Sequence, residues 1–127
     1  MSHLETKVYE GGRSRLVVAR GPLAATSVPE FFGQVATLIH RGCRSLVLDL
    51  RHVDFVDSQG VKALLLLREE LLARRVPLRL VLSGESRVER TLRLLRFESL
   101  FEIHDSPSEA WRARWRPTNR ATSNPAS

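Results

Sequence analysis

Residues 46–67 read L-V-L-D-L-R-H-V-D-F-V-D-S-Q-G-V-K-A-L-L-L-L. Leu46-Val47-Leu48-Asp49-Leu50 is a short apolar run, the pattern of a strand buried on both faces. From Gln59 onward the stretch is rich in Leu and Ala, which are good helix formers. Between them lies Asp57-Ser58-Gln59-Gly60. Asp and Ser side-chain oxygens accept bonds from the first free N–H groups of a helix. Ser58 is therefore placed where a strand has ended and a helix begins. A helix N-terminus carries a partial positive charge and unpaired donors, so it accommodates a phosphate.

On the N-terminal side, Leu4 to Tyr9 reads as an edge strand and Arg15 to Arg20 (R-L-V-V-A-R) as its hairpin partner. The glycines of Glu10-Gly11-Gly12-Arg13 suit the turn, and Gly21-Pro22 is expected to end the second strand. Ser27-Val28-Pro29-Glu30 has the form of a capping box. After it Val28, Phe31, Phe32, Val35, Leu38 and Ile39 recur at helical spacing, and Gly42 stops the helix.

On the C-terminal side, the helix after Ser58 is expected to run to about Arg74, before Pro77. Its run Leu64-Leu65-Leu66-Leu67 is too wide for a single seam, so the helix packs on two sides or leaves an apolar patch. Leu78–Leu82 reads as a strand. Ser83-Gly84-Glu85 turns into a third helix, on which Val88, Leu92 and Leu95 share a face while Arg87, Arg90, Arg93 and Arg96 are solvated. Phe101-Glu102-Ile103 is a short last strand. Ser106-Pro107-Ser108-Glu109 is a second capping box, opening a helix with Trp111 and Trp115. Residues 117–127 are Pro, Thr, Asn, Ser, Ala and one Arg, read as a disordered tail. The expectation is one α/β domain over residues 1–116, with a mixed central sheet of about four to five strands and about four packed helices. In such sheets sites form at the carboxyl ends of parallel strands. Ser58, Thr26 and the Ser83-Gly84 turn all follow strand ends and could share one edge.

A chain of 127 residues with 43% hydrophobic residues builds one real core. No apolar run is long enough to span a membrane, and the N-terminus lacks a secretory pattern. The single Cys43 excludes an internal disulfide and fits a cytoplasmic location. The net charge of +6 comes from 18 Arg and 2 Lys. These arginines are interleaved with Glu and lack accompanying aromatics before Trp111, so no direct DNA binding is expected.

The four histidines, His3, His40, His52 and His104, lack ligand spacing, and no metal site is expected. There is no Walker loop, dinucleotide fingerprint or nucleophile elbow. Asp49 reads as a satisfied structural carboxylate or a support of the site, and Asp57 as a cap rather than a base. No catalytic residue and no cofactor is assigned.

The pattern L-V-L-D-L-x-x-V-x-F-V-D-S-x-G-V-x-A-L resembles the signature of STAS domains, specifically the bacterial anti-sigma-factor antagonists (anti-anti-sigma factors). The resemblance extends over roughly Val8 to Trp111. It implies that Ser58 is a phosphoacceptor and that the chain is not an enzyme. It implies partner switching in the regulation of transcription under stress. The unphosphorylated chain binds an anti-sigma factor that is itself a serine kinase; phosphorylation releases it, and a serine phosphatase resets it. The partner surface would comprise Asp57, Gln59, Gly60, Val61, Lys62 and Thr26, with Gly60 letting the partner approach the backbone. Homodimerisation is left open. Gln59 stands where members usually have a small residue, Lys62 where Gly is frequent, and Gly21-Pro22-Leu23-Ala24 where many have Gly-Glu-Leu-Asp. The alternative within the family is a cytoplasmic subunit docked on the ATPase of an ABC transport complex, for which Trp111–Arg116 (W-R-A-R-W-R) would suit a surface near anionic lipid.

Overall fold

A computed structural model describes residues 3–112. The hairpin forms as expected: β1 (Glu5–Gly11) pairs antiparallel with β2 (Ser14–Leu23) across a turn at Gly12-Arg13. Then follow α1 (Val28–His40), β3 (Ser45–Val56), α2 (Ser58–Ala73), β4 (Leu78–Val81), α3 (Arg87–Leu94), β5 (Glu102–His104) and α4 (Pro107–Arg112). The five strands make one mixed sheet in the order β1-β2-β3-β4-β5, parallel from β2 onward. Trp115, Arg114, Arg116 and the tail 117–127 lie outside the described residues.

Pleating sends alternate residues of each strand to opposite faces. One face presents Val17, Ala19, Leu46, Leu48, Leu50 and Leu80, and packs on Phe31 and Val35 of α1, Leu64, Leu67 and Leu71 of α2, and Val88 and Leu92 of α3. Each fully buried Leu contributes about 2 kcal/mol. The other face is covered in part by α4, whose Ala110 seals Val47 and Val81. The four-leucine run resolves by helical geometry: Leu64 and Leu67 are buried, while Leu66 is half exposed.

Four local expectations change. The central strand continues past Leu50 to Val56, because β2 keeps pairing with it. Gly21-Pro22 does not end β2; Pro22 sits opposite Phe55. A proline is tolerated there because β1 reaches only as far as Arg20, so that side of β2 has no ladder to break. The capping box at Ser27 does not form. Its Oγ accepts from Ala24 N–H (3.0 Å) and donates to Pro22 O (2.8 Å), so the hydroxyl braces the preceding loop. Leu95 is 47% exposed, since α3 ends at Leu94 and the chain turns away at Arg96.

Two bulges bend β3. Between Val18↔Asp49 and Arg20↔His52, and again between Gly21↔Val53 and Pro22↔Phe55, β3 uses one residue more than β2. Simple alternation would bury Phe55 together with Val53. The second bulge turns it outward instead, and Phe55 is 52% exposed while Val53 is 2% exposed.

Candidate functional site

The junction of β3 and α2 is held by Asp57. It is the N-cap residue of α2, with extended backbone (φ −110°, ψ −174°), and Ser58 is the first helical residue. One carboxylate oxygen, Oδ1, accepts from Gly60 N–H at 2.9 Å. The other, Oδ2, accepts from Ala25 N–H at 3.1 Å. A single side chain therefore caps the helix and ties it to the loop between β2 and α1. Thr26, next to Ala25 and exposed, is brought to the α2 terminus by that tie.

The Gly60 N–H bond holds the Asp57 carboxyl below its usual range, against a desolvation that raises it, with the Ala25 bond assisting. The carboxylate form is the capping form. Its contribution is complete above the unfolded value, about pH 4, and disappears as pH falls through the lower folded value. Asp57→Ala is expected to melt below wild type at pH 7, with the gap narrowing between pH 5 and pH 3. Thermal melts across that range check it; a gap independent of pH would show that the carboxylate is not the cap.

Ser58, Gln59 and Lys62 are exposed on α2, and exposed Phe55 precedes them at the end of β3. Strand alternation concealed Phe55 from a reading of the sequence; only the bulge reveals it. Gly60 and Val61, expected on the same surface, are buried. A Cβ on Gly60 would come within 2.1 Å of Leu23 O and 2.9 Å of Val56 Cγ2. The close approach that this glycine permits is to the chain's own β2. Val61 is 6% exposed and is likewise interior. The surface at the helix start is thus Phe55, Ser58, Gln59, Lys62 and Thr26, around an anchored Asp57.

Asp49 is 1% exposed and takes both the Nε and the Nη2 of Arg51, at 2.9 and 2.8 Å. It is a satisfied structural carboxylate, well back along β3 from the site. The Ser83-Gly84 turn does not reach the site either: β3 runs on to Val56, beyond Asp49, the last residue paired with β4. Among the described residues no group of three or more His, Cys, Asp or Glu could hold a metal ion. A groove of about 240 Å³ between α1 and α2 is lined by Phe32, Ile39, Leu67 and Arg74, toward the far end of α2 from Ser58, and does not extend the site.

The arrangement has an exposed hydroxyl at a helix N-terminus with a lysine one turn on. Asp57, the neighbouring carboxylate, is committed to two backbone amides.

A sequence profile of the STAS domain matches residues 4–110. Among solved structures, an anti-sigma factor antagonist from Mycobacterium paratuberculosis is 21% identical, with TM-score 0.75, over 85% of this chain and 91% of that one. The phosphorylated form of the Bacillus cell fate determinant SpoIIAA is 22% identical, with TM-score 0.59, over 84% of this chain and 96% of that one. A sulfate transporter family protein from Wolinella succinogenes is 23% identical, with TM-score 0.64, over 80% of this chain and 84% of that one. No curated protein matches the sequence.

Proposed function

The chain belongs to the STAS-domain family, and from that premise we propose that it is an anti-sigma-factor antagonist switched off by phosphorylation of Ser58. The observation that carries this reading is the exposed Ser58 hydroxyl at the first position of α2, beside a capping Asp57 that is fully used in holding the loop. The structural likeness to the Mycobacterium paratuberculosis anti-sigma factor antagonist and to phosphorylated SpoIIAA supports it.

In this reading the unmodified surface of Phe55, Thr26, Ser58, Gln59 and Lys62 binds an anti-sigma factor with serine kinase activity, and the sigma factor goes free. The kinase transfers the terminal phosphoryl group of ATP to Ser58 Oγ. The O–P bond to ADP breaks, a new O–P bond forms at Oγ, and the hydroxyl proton passes to the kinase. The phosphoserine brings nearly two negative charges into a contact surface already bordered by Asp54 and Asp57. The helix N-terminus and Lys62 satisfy it within the chain, so the fold persists while the partner is repelled. A serine phosphatase hydrolyses the ester and restores the hydroxyl. The chain is ligand and substrate in this cycle, which takes place in the cytoplasm where the kinase has ATP.

A second reading is a subunit docked on the ATPase of a transport complex, which needs no phosphate; the Wolinella neighbour is itself a transporter-family protein. No described helix is long and apolar enough to cross a membrane. Intact-mass and phosphopeptide analysis of the protein recovered from its host, in growth and under stress, separates the two. One phosphate at Ser58 that varies with condition is the expected result, with Ser58→Glu binding the anti-sigma factor at least ~30-fold more weakly than Ser58→Ala. No phosphate in any condition, with Ser58→Ala behaving as wild type, overturns the switch and leaves the transport reading.

A further inference from the structure

We propose that two copies of this chain associate edge to edge through β1, as antiparallel strands centred on Thr6. Strand β1 lies at the end of the sheet and pairs only with β2 among the described residues. Its pairing with β2 is unbroken from Glu5↔Arg20 to Gly11↔Ser14, without a bulge or a proline. Bulges and prolines are the usual devices that spoil an edge for further pairing. Val8 and Tyr9 on this strand are 43% and 51% exposed. The blocking devices that β1 does carry are charged side chains, Glu5, Lys7 and Glu10.

The order of residues decides which partner neutralises the charges at Glu5 and Lys7. Leu4-Glu5-Thr6-Lys7-Val8 is a palindrome of chemical types: apolar, acid, hydroxyl, base, apolar. A two-fold axis through Thr6, perpendicular to the sheet, sets Glu5 opposite Lys7 of the second copy and Lys7 opposite its Glu5. Thr6 meets Thr6, and Leu4 meets Val8. Opposite charges, paired threonines and paired apolar residues are the favourable cross-strand combinations. The axis also keeps the faces consistent. Thr6 bonds Gln34 of α1 at 2.8 Å, Leu4 packs on the main core, and Val8 sits opposite core Val17, so these three share the helix-covered side. Glu5 and Lys7 share the other. Neighbouring registers are poorer. Centring on Lys7 sets lysine against lysine, and centring on Val8 sets Lys7 against Tyr9 with no ion pair at all.

A pairing of five residues a side buries much less than a standard interface, so the dimer is weak and forms reversibly. Its geometry is independent of the phosphorylation reading.

Sedimentation velocity on the full chain between about 10 and 500 µM, in 0.15 M salt, tests this. Wild type is expected to shift from monomer toward dimer across that range. Lys7→Glu and Glu5→Lys each place like charges opposite one another and are expected to weaken association about tenfold or more. The double swap Glu5→Lys with Lys7→Glu rebuilds both ion pairs and is expected to restore it. Circular dichroism melts confirm that the single variants stay folded. A wild type that is monomeric throughout, with the edge bare or covered by the chain's own residues after Arg112, overturns the proposal. So does a dimer indifferent to the single changes, or one that the double swap fails to restore.

Discussion

Gly60→Ala is expected to lower stability by about 3 kcal/mol, at or beyond the upper end of ordinary overpacking. The added Cβ would stand 2.1 Å from Leu23 O and 3.0 Å from Leu23 C. Those are backbone atoms at the end of β2, where Leu23 is paired with Val56 of β3, so they cannot rotate away as a side-chain tip would. The helix must instead lift from β2, and lifting it strains both amide bonds that Asp57 accepts, one from α2 and one from the β2–α1 loop. The same substitution at Gly33, in the middle of α1, meets no atom within 4 Å. There alanine replaces the poorer helix former and is expected to gain up to about 1 kcal/mol. Urea unfolding of the two variants followed by far-UV circular dichroism checks both signs. A Gly60→Ala protein as stable as wild type would mean that α2 does not rest against Leu23.

The second large effect is expected at Arg79, on the sheet face opposite the main core. Its guanidinium is 3% exposed, bonds Glu102 Oε2 at 2.9 Å and reaches Ser45 Oγ at 3.2 Å. His104 Nε2 shares the same carboxylate oxygen at 2.8 Å. Burial pushes the Glu102 carboxyl up, but the hydrogen bonds and charges of His104 and Arg79 outweigh it and hold the group below its usual range. Arg79→Met leaves a largely buried carboxylate short of its permanently charged partner. For fully buried pairs such a break costs about 3–5 kcal/mol; with Glu102 one-fifth exposed, about 2–3 kcal/mol is expected. Replacing the pair together, Arg79→Met with Glu102→Gln, removes the unpaired charge and is expected to recover more than half of that loss. Chemical denaturation of the single and double variants completes the cycle. A single variant within 0.5 kcal/mol of wild type would show that water, rather than Arg79, satisfies Glu102.

Both effects arise where distant parts of the chain meet, and that division runs through the whole molecule. What the sequence determined by itself was local and periodic. The apolar run at Leu46–Leu50, the leucine-rich segment after Gln59 and the capping residue Asp57 are signals within a few residues of one another, and each corresponds to an element of the fold. The alternation of strands and helices along the chain was enough for a mixed sheet with packed helices, because a strand–helix–strand unit has essentially one handedness. The phosphoacceptor candidate also lay in a contiguous motif.

Tertiary structure alone decided the rest. Ser27 has a capping sequence, yet its hydroxyl goes to Pro22 and Ala24, because the loop before α1 already turns and supplies nearer partners. Pro22 stays in a strand because one side of β2 has no neighbour beyond Arg20. Phe55 faces outward through a bulge that exists only in the pairing of β2 with β3, and no periodicity in one strand can encode a count of residues in another. Gly60 and Val61 sit inside the motif but are buried, Gly60 against Leu23. A motif specifies which residues are close in the chain. Which of them face solvent depends on the strand that packs against them, 37 positions earlier in the case of Leu23 and Gly60, and that contact has no local signature.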